Sequence, residues 1–345
     1  MKKVTIFSLV VLLAMFSAVS CGKGGAPKAG SAKAESMLSL LPKDSLGVVM
    51  LDFHKILTTE FADKALKEEK NYQKYQEFIT KTGIDPQKDI YFLAIGLRGE
   101  LGGMKQPEAA VVANLRYNKD TVLSALKKEG KETTEQNYNG ITIYTGGMES
   151  DSKKPDWGAF LDESNIVLGD EKSVKSVIDV YQKKADSVLN NDAFAAVLKT
   201  AKKDSMAWIA VLLPPEAMKE MVGKNPMLSS LEGVKSLTMH FDYADKTFVT
   251  KIRTSGGDEK KNKGLADLLN GLKTLGAGAA AKDPAIGEIL NRIEIGSGAD
   301  HVEISASFPE ELVNKLKATA EQKMKGMIQP PSSPPEEKKE EEKKV

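Results

Sequence analysis

Lys43 to Phe53 reads KDSLGVVMLDF, and Lys203 to Leu213 reads KDSMAWIAVLL. Each is a polar Lys-Asp-Ser turn followed by a short, nearly unbroken apolar run rich in branched side chains. A run of this length between turn signals is a buried β-strand rather than a helix. The same opening 160 residues apart predicts that one unit is built twice. After the first strand, Leu46 to Phe53, the spacing predicts a polar helix over Phe61 to Thr82, stopped by Gly83. A turn at Asp85-Pro86 leads into the runs Ile90 to Leu97 and Ala109 to Tyr117, a β-hairpin, and then a short helix from Asp120 to Glu129, ended by Gly130. An extra strand around Lys131 to Tyr138 turns at Asn139-Gly140, a strong type I′ signal. Trp157 to Leu161 and Asn165 to Leu168 make a second hairpin, and Ser173 to Lys183 an amphipathic helix.

The second pass starts with a helix, Phe194 to Lys202, ahead of the strand Met206 to Leu213. A helical stretch follows Pro214-Pro215. Leu237 to Tyr243 and Thr247 to Arg253 form a hairpin across Ala244-Asp245-Lys246, followed by a helix from Glu259 to Leu275. Ile289 to Ile295 pairs with His301 to Ser305. A last helix, Pro309 to Met327, has Ser307 and Glu310 placed as a capping box. The expected fold class is therefore α+β: two tandem copies of a strand-helix-hairpin-helix-hairpin-helix unit, at 38–188 and 189–328, with mainly antiparallel sheets and helices packed on one face. Whether the copies share a sheet or face each other stays open.

Outside this core the chain carries signals of address. Lys2 and Lys3 precede an apolar stretch from Val4 to Phe16, too short to span a membrane comfortably, and small residues follow up to Cys21. Residues 1–20 read as a signal peptide. Cys21 is the sole cysteine, which excludes an intramolecular disulfide and any multi-thiolate metal site. Residues 22–36, GKGGAPKAGSAKAES, have tether composition, so the acceptor and tether occupy 21–37. Residues 329–345 make a Pro/Glu/Lys tail expected to be disordered. The formal charge of +1 becomes −1 once Lys2 and Lys3 are removed, which offers no global attraction for nucleic acid.

Ala18-Val19-Ser20-Cys21 resembles a bacterial lipobox, with Ala18 where leucine is usual; Ala18-x-Ser20 also suits ordinary signal peptidase cleavage at the same bond. The lipobox resemblance implies fatty acylation, palmitate included, on Cys21, and anchoring in a cell envelope. Gly22 rather than aspartate after it implies the outer membrane, facing the periplasm. Pro42 to Phe53, Thr82 to Pro86 and Phe160 to Gly169 (FLDESNIVLG) resemble bacterial envelope proteins built on domains of unknown function. That resemblance implies a location and supplies no activity.

Chemical motifs are few. His54, His240 and His301 lack metal-ligand spacing, and no calcium loop is present, so no metal and no cofactor is expected. Lys81-Thr82-Gly83 and Ser124-x-x-Lys127 stand in the wrong order for a penicillin-recognising serine enzyme. Gly276 to Ala281 has the glycines of a dinucleotide loop but follows a helix, and reads as a flexible connection. Met206, Met218, Met221, Met227 and Met239 cluster in the second copy, and Met218 and Met221 are the candidate contacts for an apolar ligand. The expected function is non-catalytic: an envelope lipoprotein, held to the membrane by its lipid, that binds or scaffolds another envelope protein. A carrier or binder of a lipid or other apolar ligand is the second expectation, and a carboxylate-based hydrolase the third. The oligomeric state is not legible.

Overall fold

A computed structural model describes residues 34–99, 108–128, 133–146, 156–224, 226–279 and 284–328. The leader, Cys21, most of the tether, Gly130, part of the extra strand and the tail lie outside the described residues. In chain order the elements are α1 (Ala34–Leu38), β1 (Gly47–Asp52), α2 (Phe53–Leu57), α3 (Glu60–Lys67), α4 (Glu69–Thr82), α5 (Pro86–Asp89), β2 (Ile90–Arg98), β3 (Glu108–Leu115) and α6 (Lys119–Lys128). They continue with β4 (Thr133–Tyr138), β5 (Ile141–Gly146), β6 (Asp156–Phe160), β7 (Asn165–Gly169), α7 (Glu171–Tyr181), α8 (Asp192–Leu198), β8 (Ala207–Leu212) and α9 (Pro215–Lys224). The last are β9 (Val234–Ala244), β10 (Thr247–Gly256), α10 (Glu259–Ala279), α11 (Pro284–Asn291), β11 (Ile293–Ser297), β12 (Val302–Pro309) and α12 (Glu310–Ile328).

All twelve strands form one antiparallel sheet in the order β11-β12-β10-β9-β8-β1-β2-β3-β7-β6-β5-β4. The two Lys-Asp-Ser strands sit side by side at its centre, Val49 opposite Ile209. Each Lys-Asp-Ser makes the same turn. The Ser45 N–H donates to the Pro42 carbonyl at 3.1 Å and the Ser205 N–H to the Lys202 carbonyl at 3.2 Å. Both serines are buried.

Side chains alternate between faces along a strand, and directly paired residues share a face. On the first face, Val48, Met50, Ala94, Ala110, Val112, Trp208 and Ala210 pack with Met37 and Leu38 of α1, Val174, Val177 and Ile178 of α7, and Phe194 and Val197 of α8. On the second face, Leu51, Leu93, Ala113 and Ile166 pack with Phe53 and Leu57 of α2, Phe78 of α4 and Val122 of α6. At the diagonally opposite corner of the second face, Val302 and Ile295 pack with Leu265, Ala266 and Leu269 of α10. Helices therefore cover both faces, which corrects the one-face expectation. The reason is visible in β1, β2, β3 and β8, which are apolar at nearly every position, a pattern that requires cover on both sides.

Local corrections have local causes. The long polar helix breaks at Glu68, whose extended ψ of 126° separates α3 from α4. Gly83 ends α4 in the left-handed region at φ 69°, where a Cβ is disfavoured. The proposed capping box is absent: Ser307 lies within β12, and Glu310 is engaged by Tyr243 and Lys64. Gly276 to Ala279 is helical, the end of α10 rather than a loop, and α11 takes up Ile289 to Asn291, which were expected to open a strand that begins only at Ile293.

Candidate functional site: an apolar row across the sheet

The centre of the second face is a continuous row of paired residues, Leu168–Val111–Ile95–Val49–Ile209–Met239–Ile252–Ile304, one from each of eight adjacent strands. All eight are half-buried. None belongs to the three buried clusters. The row runs between the two helical corners of this face, bounded by Leu51, Leu93, Ala113 and Ile166 on one side. At its outer end Ile304 pairs with Ile295, which packs against the cluster formed by Val302 with Leu265 and Ala266 of α10. Seven strand spacings at roughly 4.8 Å make it about 34 Å long, close to the ~30 Å hydrocarbon thickness of a bilayer.

The row is apolar throughout, and the strands that carry it are interior, so their backbone donors and acceptors are consumed by the ladders on either side. An extended peptide laid on such a floor would leave its own amides without partners. A hydrocarbon chain carries no such group.

The first face of the second half is the opposite in character. Thr238, His240, Lys251, Arg253 and Glu303 project from it and, with Thr200 and Lys202, line a shallow cleft of about 250 Å³. Its charges are mutually matched: Lys251 to Glu303 at 2.8 Å, Lys202 to Asp242 at 2.9 Å and Arg253 to Asp300 at 3.7 Å. Burial, and then the charge of Lys202, holds the His240 imidazole below its ordinary range. Burial alone would raise the Asp242 carboxyl, but hydrogen bonds from Lys202 Nζ, the Met206 N–H and Ser205 Oγ hold it below the usual carboxylate range.

A second open cleft, about 640 Å³, lies between α7 and β4–β6, lined by Tyr138, Trp157, Asp170, Glu171, Lys172, Lys175, Ser176 and Asp179. Its carboxylates have structural duties. Asp170 caps α7 by accepting from the Ser173 N–H and Oγ at 2.9 and 2.7 Å. Asp179 accepts from Tyr138 Oη and Asn139 Nδ2, both at 2.9 Å. Asp162, in a third cleft with Asp120 and Glu163, accepts from the Ser164 and Asn165 N–H groups at 2.8 Å.

The residues singled out from sequence are not gathered into one site. Met218 is 4% exposed on α9 and fills the interior, so it offers no surface to a ligand. The side chains of Met221 and Met227 lie outside the described residues. Met239 alone of the cluster lies on the row. His54 on α2, His240 on β9 and His301 beside Asp300 occupy separate regions. Among the described residues no three His, Cys, Asp or Glu side chains come together to hold a metal ion. No helix among them is long and apolar enough to cross a membrane.

The row had a signal in the sequence. β9 and β12 alternate, with Leu237, Met239 and Phe241, then Val302, Ile304 and Ala306 on the second face and polar residues on the first, while on β10 Phe248 and Ile252 share the second face with Thr250 and Thr254. Only the strand order shows that these stripes continue the apolar second face of β1–β3.

Solved structures of TP0453 in crystal forms III, I and IV align with 82%, 82% and 81% of this chain and 97%, 96% and 95% of their own, at 9%, 8% and 9% identity and TM-scores of 0.47, 0.44 and 0.42. No curated protein matches this chain. Residues 105–268 match a family described as a protein of unknown function (DUF3352), a span that carries Val111, Leu168, Ile209, Met239 and Ile252 of the row.

Proposed function

We propose that this chain is a non-catalytic envelope protein, anchored through acylated Cys21, that holds an acyl chain on the apolar row of its sheet. The observation that carries the reading is the uninterrupted, half-buried apolar row, which offers a hydrocarbon apolar contact and no side-chain hydrogen-bond donor. Of the three functions expected from the sequence, the binder of an apolar ligand is therefore favoured over a protein scaffold. The hydrolase has the least support, since Asp162, Asp170 and Asp179 in the clefts serve caps and turns.

The test is native mass spectrometry of the mature protein, followed by photocrosslinking with a diazirine fatty acid. Crosslinks are expected on peptides containing Val49, Ile95, Ile209 or Met239. Met239→Asp is expected to weaken acyl binding about tenfold or more, because a carboxylate would be desolvated against the chain. His240→Asn, one residue along on the opposite face, is expected to leave binding unchanged. Crosslinks on the polar first face, or equal effects of the two substitutions, would remove the reading. A native mass carrying no acyl group at Cys21 would remove the anchor and leave the row to be judged by the crosslinks.

We also infer that the fold is a tandem duplication. Outward from the centre the first half runs β1-β2-β3-β7-β6 and the second β8-β9-β10-β12-β11, the same sequence of connections. The β4–β5 hairpin is then an addition to the first copy. The repeated Lys-Asp-Ser turn supports the same reading.

A further inference from the structure

The third cleft, between the start of α6 and the turn that joins β6 to β7, has aromatic walls and an acidic rim. Tyr144 on β5 pairs with Gly158 on β6, so Phe160, two residues along β6, stands diagonally beside it on the second face. The two rings lie 5.7 Å apart at 77° and form a corner. Tyr117, just beyond β3, stacks on Phe160 at 5.3 Å, and its Oη donates to the Asp162 carbonyl, which fixes the ring. All three rings are half-buried. Tyr117 and Phe160 line an open cleft of about 600 Å³ with Asn118, Lys119, Asp120, Asp162 and Glu163.

An ammonium already stands in the corner. Lys119 Nζ is 5.4 Å from the Phe160 centroid and 5.8 Å from the Tyr144 centroid, within the range at which a cation is drawn to a ring face. Lys119 is exposed and makes no ion pair among the described residues. It opens α6, where the positive end of the helix dipole gives a cation nothing. The carboxylates of Asp120, Asp162 and Glu163 outnumber this one ammonium in the cleft lining. Asp162 accepts from the Ser164 and Asn165 N–H groups and still carries its charge, while Asp120 and Glu163 have no hydrogen-bonded partner among the described residues. Burial, and then the charges of Asp162 and Glu163, push the Tyr117 hydroxyl up to about 12, as a negative potential requires.

We propose that this corner binds the ammonium group of an organic cation, which takes the place of Lys119 against Phe160 and Tyr144. A quaternary ammonium suits it best. Its methyl groups bury against the rings, it asks for no hydrogen-bond acceptor, and the acidic rim balances its charge. The flexible stem of Lys119 lets that side chain yield to solvent. The site stands whether or not the apolar row holds an acyl chain, but the two adjoin. Leu168, at the end of the row, pairs with Gly158, and a Cβ at Gly158 would stand 2.8 Å from Leu168 Cδ2. The ammonium therefore has two sources to be told apart, the headgroup of a lipid whose chain follows the row and a free cation.

Calorimetric titration of the chain carrying Cys21→Ser, which needs no detergent, tests the site at constant ionic strength. Choline is expected to bind at least about tenfold more tightly than dimethylbutanol, in which a carbon replaces the nitrogen and the charge is lost. Lys119→Ala is expected to tighten choline by about threefold or more, because it clears the corner, and Tyr144→Leu to weaken it by about tenfold. Equal binding of choline and dimethylbutanol overturns the proposal. So does a choline affinity that neither Lys119→Ala nor Tyr144→Leu moves, and so does a Lys119→Ala chain that binds no choline. The source is read from decyltrimethylammonium below its micelle concentration. A gain of about tenfold or more over choline, reduced by Tyr144→Leu, assigns the ammonium to a lipid. An affinity equal to that of choline assigns it to a free cation, and counts against the acyl reading of the row while leaving this site in place.

Discussion

Trp208→Ala is expected to lower unfolding free energy by about 3–5 kcal/mol, in the range of large-to-small changes at fully buried aromatic sites. Trp208 is 1% exposed, sits on a central strand and faces Met50 and His240 across the adjoining ladders. It stands within the cluster that joins α1, α7 and α8 to the sheet, so few side chains can move into the space it leaves. The indole Nε1 is buried and has no hydrogen-bond partner among the described residues. Trp208→Phe, which removes that group while keeping a ring, is therefore expected to cost less than about 1.5 kcal/mol, since an unsatisfied buried donor is itself destabilising. Urea unfolding curves of the two variants check this. A phenylalanine variant as unstable as the alanine one would show that the N–H has a role the packing does not reveal.

The second large effect is at Asp242. Its carboxylate gathers Lys202 Nζ at 2.9 Å, Ser205 Oγ at 2.9 Å and the Met206 N–H at 3.0 Å, fixing the turn that feeds β8 into the sheet beside β9. Asp242→Ala removes the acceptor and strands a buried serine hydroxyl and a backbone N–H, a loss of about 2–3 kcal/mol at neutral pH. The folded carboxyl titrates below its ordinary range, so the unfolded chain takes up this proton first as pH falls. Its contribution is complete above the unfolded value of about 3.9 and is lost as pH drops through the lower folded value. Wild type and Asp242→Ala are therefore expected to differ most near pH 7 and to converge in strong acid. A gap that stays constant down to the lowest pH tolerated would assign the loss to packing.

The elements that a local pattern specifies were legible in the sequence. Gly83, Asn139-Gly140 and the paired apolar runs gave the helix stop and the hairpins because each depends on neighbours within a few residues. The α+β class followed from the same signals. Helix placement did not, because it depends on which strand becomes whose neighbour. β3 pairs with β7 and not with β4, and β10 with β12 and not with β11. Nothing local in Glu108–Leu115 or Thr247–Gly256 encodes that choice. The candidate site was hidden for the same reason. Val49, Ile95 and Val111 read as ordinary strand interiors, and only the register with Ile209 and Met239 makes them one surface. The methionine cluster pointed elsewhere because Met218, for all its adaptability, is spent on filling the interior.

The pairing of β1 with β8 also sets a schedule. Val49 meets Ile209 at a sequence separation of 160, so the central ladder joins the most distant pair of neighbouring strands in the sheet. A polypeptide emerging from its N-terminus presents Gly47–Asp52 long before its partner exists. Until then β1 is a bare apolar edge, the kind of surface that recruits other unfinished chains. High contact order makes the closing step slow. The first half thus exposes that edge until the second is made, and truncation anywhere before Ala207 leaves it permanently open.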